Sequence, residues 1–311
     1  MTTLCGRFAA TFTAAATLAV LPACAQQAEP AVQAPAVASA EAASLDGPAL
    51  WKVADEDTTV YLFGTIHALP EGKDWYSGTI AKAFDASGEL VTEIPAGAEN
   101  DPATAQLIQT KAMLPAGTTL RSKLTDTQRA TYEEALAKLN LPAQAFDQFK
   151  PWFAGMTLGL LPLLQQGYSP EAGVEKVLEG KAGEAMTRGA LETAEYQISV
   201  FDGMLEDAQI SFLVETAEGI DDAKAKLDAM VSVWMAGDAD RLAALMNEEL
   251  TDPMLAERLL YTRNGNWAEW IDERLDEPGT VFIAVGAGHL AGRNSVQDKL
   301  AERDLKAVRV Q

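Results

Sequence analysis

The chain has two histidines, His67 and His289, and each stands three residues after a glycine. The first ends the run Thr59-Val60-Tyr61-Leu62-Phe63-Gly64-Thr65-Ile66-His67, and the second ends Thr280-Val281-Phe282-Ile283-Ala284-Val285-Gly286-Ala287-Gly288-His289. With average glycine usage of about 7%, that coincidence has a chance probability of roughly 0.5%. Glycine lets the backbone turn sharply where a strand ends. Both imidazoles are therefore expected to project from the carboxyl edge of a sheet, where open α/β folds place their ligands. Neutral imidazole is the usual acid–base group near pH 7 and a frequent ligand of transition metals. The competing reading for each residue is a hydrogen-bonded core histidine.

No His-Glu-x-x-His run is present, so a metal would have to be gathered from distant parts of the chain, with carboxylates completing it. Glu93 is the first candidate, because an acid at the end of Leu90-Val91-Thr92 is costly to bury without a partner. Glu192, after Leu191, has a similar case. Arg263 and Asn264, just ahead of a helix carrying Trp267, could supply donors to a developing oxyanion. The plain alternatives are exposed strand ends for the acids and an ordinary helix start for the Arg-Asn pair. Other chemistries find little support: there is no Gly-x-Ser-x-Gly elbow and no phosphate loop, and the two cysteines, Cys5 and Cys24, lie far from either histidine.

The elements that must position these residues alternate in period. Thr59–Phe63 and Glu89–Ile94 read as strands, the second closed by Pro95, with a helix between them over Trp75–Phe84. Asp101–Leu178 is mostly helical. Thr125-Asp126-Thr127-Gln128 forms a capping box there, with Tyr132, Leu136 and Leu139 following at helical spacing. The apolar run Trp152–Leu164, broken by Pro162, is too short to span a membrane and reads as a core helix. Glu184–Glu192 reads as a strand. Helices follow over Val200–Asn247, with Phe212, Val231, Val233, Trp234 and Leu245 as core positions. Trp267, Trp270, Ile271 and Leu275 share one helix face. Thr280–Val285 is the next strand, then a helix over Ser295–Glu302 and a last strand at Ala307–Val310. The expected fold is α/β or α+β, a mixed central sheet with pseudo-duplicated strand–Gly-x-x-His turns and a large helical insertion or cap.

The opening residues carry one basic group, Arg7, an apolar stretch from Phe8 to Leu21, and then Leu21-Pro22-Ala23-Cys24. Residues 1–24 thus read as a secretory signal peptide. Two processing routes fit: a lipobox ending at a lipidated Cys24, or an ordinary cleavage at Ala23-Cys24-Ala25. Residues 25–47, rich in Ala, Pro, Ser and Glu, read as a tether, leaving 48–311 as one folded domain. The mature chain is expected to be periplasmic or anchored to the outer membrane of a bacterium, touching the membrane only through that lipid. With 24 basic against 45 acidic residues, a nucleic-acid role is excluded as an expectation.

Several separated motifs, in order, resemble the TraB/GumN family, which includes the Tiki proteases. They are Trp51-Lys52-Val53, Val60 to Pro70, Leu191-Glu192-Thr193 with Gln197, Arg263-Asn264 with Trp267, and Val285 to Gly292. The resemblance spans about Leu50 to the C-terminus. It implies a fold shared with the erythromycin-esterase and ChaN-like groups, with His67 and His289 as the paired Gly-x-x-His positions, Glu93 as the acid after the first, and Glu192 in the Leu-Glu-Thr motif. Gly173-Val174-Glu175 is a further position suggested by it. Tiki-type members imply a divalent-metal-dependent peptidase, with manganese or cobalt, less so zinc, held by His67, Glu93 and His289. Glu93 or Glu192 would then take the proton from water during attack on a peptide, or a small ester or amide. Esterase-type relatives imply the same hydrolysis without metal, and ChaN-like relatives imply a non-catalytic lipoprotein that binds a peptide, iron or haem.

Overall fold

The computed structural model describes residues 47–249 and 253–311; the expected leader and nearly all of the tether lie outside these residues. The strands are β1 (Leu50–Ala54), β2 (Thr58–Thr65), β3 (Leu69–Pro70), β4 (Glu89–Thr92), β5 (Tyr168–Ser169), β6 (Thr187–Ala190), β7 (Gly279–Gly286) and β8 (Val308–Arg309). The helices are α1 (Gly78–Asp85), α2 (Pro102–Ala112), α3 (Asp126–Lys138), α4 (Pro151–Gln165), α5 (Val174–Lys181), α6 (Ala194–Asp202), α7 (Glu206–Glu218), α8 (Ala223–Met235), α9 (Ala239–Glu249), α10 (Pro253–Ala256), α11 (Thr262–Arg274) and α12 (Val296–Ala301).

Six strands form one mixed sheet in the order β6-β4-β7-β2-β1-β8. The four from β6 to β2 run parallel, and β1 is antiparallel to both of its neighbours. The mixed α/β architecture is as expected. Alternating residues of the central strands serve opposite faces. Phe63, Phe282 and Ala284 pack with Trp75, Phe84 and Trp234 on one side. Leu62, Ile283 and Val285 pack with Trp267, Ile271 and Leu300 on the other. Strands covered on both faces read as continuous apolar runs, which is why β2 and β7 stand out in the sequence. A third cluster joins α3, α4 and α7 through Tyr132, Leu136, Leu158 and Leu213. The Thr125 capping box forms as the spacing predicts.

Several expectations need correction. β1 has no counterpart among the expected strands, because a five-residue strand holding Lys52 lacks a clear apolar period. Phe212, Val233 and Leu245 are only half-buried; Leu213 and Leu242, their helical neighbours, take the core positions. Helix α4 is not wholly core, since Met156, Leu160 and Leu164 are exposed along one face. Arg263 and Asn264 lie within α11, not ahead of it. The segment before them, Glu257–Tyr261, is a π-helical turn continuous with the helix. The two Gly-x-x-His strands are parallel neighbours, with Thr65 opposite Gly286. Beyond that pairing their contexts differ: β2 follows an antiparallel strand, whereas β7 follows α11 and leads into a 3-10 turn, Ala287–Leu290.

Candidate functional site

The parallel strands β6, β4, β7 and β2 end at one edge of the sheet, and the residues just beyond their ends are Glu192, Glu93, His289 and His67. Pairing of β4 with β6 continues past the strands, with the Glu192 N–H donating to the Glu93 carbonyl at 2.8 Å. The two carboxylates are thus side by side, and their side chains are only 12% and 5% exposed. Such a pair requires a cation.

Arg263 supplies it from the first turn of α11, directly after the π-helical turn, whose slipped hydrogen-bond register often marks functional positions. Its donors are fully engaged. Nε donates to Glu192 Oε1 and Oε2 at 2.8 and 3.1 Å, and Nη2 to Glu93 Oε2 at 2.7 Å and Glu192 Oε2 at 2.9 Å. Nη1 donates to the Leu259 carbonyl at 2.8 Å and to His289 Nε2 at 3.1 Å. Gln197 Nε2 adds donors to Glu93 at 2.7 Å and Glu192 at 3.3 Å, and Trp267 Nε1 donates to Glu192 Oε1 at 3.0 Å.

His289 is buried beside Trp267, with ring centroids 4.2 Å apart. Its Nδ1 lies 2.5 Å from Asn264 Oδ1, and the Asn264 amide is oriented because Nδ2 donates to the Asn294 carbonyl at 2.7 Å. Arginine can only donate. The network therefore assigns a neutral ring with its proton on Nδ1 and its Nε2 lone pair taken by Arg263. Burial pushes His289 down to about 3, and Arg263 acts in the same direction. For Glu93, burial works against the charge, but with His289 neutral it is Arg263 and His67, together with the Gly286 N–H at 2.7 Å, that outweigh it and hold the carboxyl well below the usual carboxylate range.

His67 differs in kind. Its Nδ1 lies 2.7 Å from Glu175 Oε1, and that oxygen also accepts from the Thr65 hydroxyl. The side chain is 72% exposed, and Nε2 has no hydrogen-bond partner among the described residues. The Glu175 carboxylate pulls the ring up to about 9, although water at an exposed ring screens part of that pull. His67 lines a cleft of roughly 570 Å³ with Glu93 and Arg263, and Ile94, Met156, Val200 and Phe201 form its apolar wall.

The glycines of the two motifs are needed for space rather than for turn conformation. A Cβ on Gly64 would lie 3.0 Å from the Ala287 Cα, and one on Gly286 would lie 3.1 Å from Glu93 Oε1, 3.6 Å from the His289 ring and 3.8 Å from His67 Nε2. Glu93 and both histidines thus converge on Gly286.

A divalent ion held by His67, Glu93 and His289 would need a free ring nitrogen on each histidine. His289 offers none, and no group of three or more His, Cys, Asp or Glu among the described residues is arranged to hold an ion. The arrangement does not fit a three-ligand metal. Arg263 and Asn264 are likewise engaged within the cluster and are not free oxyanion donors; they hold Glu93, Glu192 and His289 in place. Sequence reasoning did not assign site roles to Glu175, Gln197 and Trp267. Glu175 and Gln197 stand in motifs quoted for the resemblance, but nothing in their spacing signals contact with His67 or Glu93.

No curated protein and no solved structure matches the chain. One sequence family does, over residues 49–309, a span that runs from the residue before β1 to the end of β8 and contains every residue of the cluster. That match covers most of the chain, and on it the protein belongs to the TraB/PrgY/gumN family.

Proposed function

We propose that the chain is an exported hydrolase of peptide or small ester bonds, with His67 as its proton-transfer group. The observation that carries this reading is the His67–Glu175 pair: Nδ1 is anchored at 2.7 Å while the opposite nitrogen opens onto the cleft. A histidine oriented by a carboxylate on one nitrogen takes a proton on the other, and the carboxylate stabilises the imidazolium that forms. Glu93, ionised and close to the same space, accepts a hydrogen bond from the attacking water and orients it. In the reaction the water oxygen bonds to the substrate carbonyl carbon, its proton passes to His67 Nε2, and the same proton is returned to the departing amine or alkoxide as that bond breaks. The buried cluster around Arg263 keeps Glu93 charged and fixed. Export rests on the leader-like residues 1–24.

The test is an assay of purified protein treated with EDTA against peptide and ester panels, with and without restored Mn, Co or Zn. His67→Ala and Glu175→Gln are assayed in parallel. Turnover that needs no metal and falls at least 100-fold in His67→Ala is expected. Equal activity in the parent and His67→Ala overturns the reading. Tight stoichiometric binding without turnover would favour the binding-protein alternative.

A further inference from the structure

Glu175, which anchors the ring of His67, is itself held from two directions. The first is its own helix. Gly173 stands just before α5 with φ of −58° and ψ of 147°, values open to any residue, so what requires glycine there is space. A Cβ at this position would overlap the carbonyl oxygen of His67 and lie 2.8 Å from that of Pro170. The backbones are this close because the Val174 N–H donates to the Ile66 carbonyl at 3.0 Å, which seats the first turn of α5 on the segment leaving β2. Glu175 belongs to that turn, where the helix N-terminus favours a negative charge.

Seating the helix places the Glu175 backbone and leaves its side-chain torsions open. Those torsions are addressed from the strand. Thr65 is the last residue of β2, is 2% exposed, and donates its hydroxyl to Glu175 Oε1, the oxygen that also meets His67 Nδ1. A carboxylate oxygen has two lone pairs and can only accept, so the hydroxyl and the ring N–H together fill Oε1 and fix the plane of the carboxylate. With the ring as its sole partner, a long side chain that is 19% exposed would regain rotamer freedom and turn toward water.

The position of that carboxylate decides the tautomer of His67. A neutral imidazole carries its proton on either nitrogen, and the hydrogen bond made by one nitrogen selects the form. With Glu175 held at Nδ1 the proton stays there, and Nε2 keeps a lone pair toward the cleft. We propose that Thr65 is a positioning residue that fixes the tautomer of His67 through Glu175. Its hydroxyl does not touch the ring. The consequence for turnover rests on the hydrolase reading; the tautomer does not.

The full-length chain labelled with 15N-histidine tests this directly, since it has two rings to follow. Long-range correlations from the carbon-bound ring protons show which nitrogen carries the proton, at a pH above the titration of His67, and His289→Gln assigns the two rings. The parent His67 is expected in the Nδ1–H form. Thr65→Val is expected to divide it between both forms, whereas Thr65→Ser, which keeps the hydroxyl, restores the parent pattern. His289, held by Asn264 and Arg263, is the internal reference and keeps its own pattern in every variant that folds. In a Glu175→Ala background, Thr65→Val should change nothing further. Under the hydrolase reading, kcat falls roughly tenfold in Thr65→Val, a fraction of what the wrong tautomer costs, and KM stays unchanged. A parent-like tautomer in Thr65→Val overturns the proposal, as does a change in Thr65→Ser equal to that in Thr65→Val. A further change in the Glu175→Ala background overturns it too, by showing that Thr65 reaches His67 along another route. The expected tautomer shifts, in a parent chain that hydrolyses no peptide or ester, would overturn the hydrolase reading and leave the role of Thr65 standing.

Discussion

Arg263 Nη1 lies 3.1 Å from Nε2 of His289. Because a guanidinium only donates, it occupies the lone pair through which that ring would bind an ion or receive a proton. The two histidines, alike in sequence, are thus divided in role: His289 is a neutral part of a buried scaffold, and His67 is the one open to the cleft. After EDTA treatment the chain is expected to take up no equivalent of Mn, Co or Zn in titration calorimetry. One-to-one uptake at micromolar affinity would mean that Arg263 leaves His289 when an ion arrives, and would restore His289 as a ligand.

The same arginine compensates two carboxylates that are almost out of water. Removing one partner of a buried ionic cluster typically costs about 3–5 kcal/mol, because charges are left uncompensated. Arg263→Met is expected to lower stability by an amount of that order, measured as a shift in urea midpoint. Arg263→Lys is expected to recover only part of it, since an ammonium cannot serve Glu192, Glu93 and His289 together through a planar fork. A loss below about 1 kcal/mol in Arg263→Met would contradict the cluster as described.

How much of this was legible in the sequence depends on range. β2 and β7 announce themselves because both faces of each are covered, and Glu93 does so because a carboxylate at the end of a buried strand requires a partner. Its partner does not announce itself. Arg263 looks like a helix start because the apolar period begins at Trp267, while the π-helical turn before it breaks the pattern that would have extended the helix. Glu175 was beyond reach for another reason: its contact with His67 joins β2 to α5 across more than a hundred residues, and no local rule encodes such a meeting. The exposed side of α4 is not legible in the sequence, because composition reports that a helix is apolar, not whether anything covers it.

Two titrations oppose one another in the stability of the fold. His289 is held down at about 3, so below the unfolded value of about 6.5 the unfolded chain binds a proton that the folded one refuses. Stability therefore falls as pH drops from 6.5, by on the order of 2 kcal/mol at pH 5 from this residue alone. Glu93, likewise held low, adds a further loss below its unfolded range near pH 4.5. His67 acts on the other side: raised to about 9 by Glu175, it contributes stability that is complete below 6.5 and is lost as pH rises toward 9. That contribution is small because the ring is largely in water. Urea midpoints are expected to be greatest near pH 6.5–7 and to fall steeply on the acid side. In His289→Gln the acid slope between pH 6.5 and 5 should flatten; an unchanged slope would place the responsible proton elsewhere.

The catalytic pH profile follows from the exposed histidine with the sign set by its role. As a base His67 must be neutral, and the Glu175 carboxylate favours its charged form, so kcat/KM is expected to rise through neutral pH along a limb whose midpoint lies between 6.5 and about 9. Glu175→Gln removes the negative charge but keeps an acceptor for Nδ1. Its limb should move toward 6.5 while kcat falls, because the imidazolium formed during attack loses its counter-charge. A variant with the parent's midpoint and a merely lower plateau would show that Glu175 holds the fold rather than the proton. Gly286→Ala provides the complementary control. A methyl 3.1 Å from Glu93 Oε1 forces that carboxylate to give way, yet leaves the His67–Glu175 contact untouched. It should therefore lower kcat at least tenfold while moving the midpoint less than Glu175→Gln does, since Glu175 is the larger influence on His67 and Glu93 the smaller, separating the group that orients water from the group that accepts its proton.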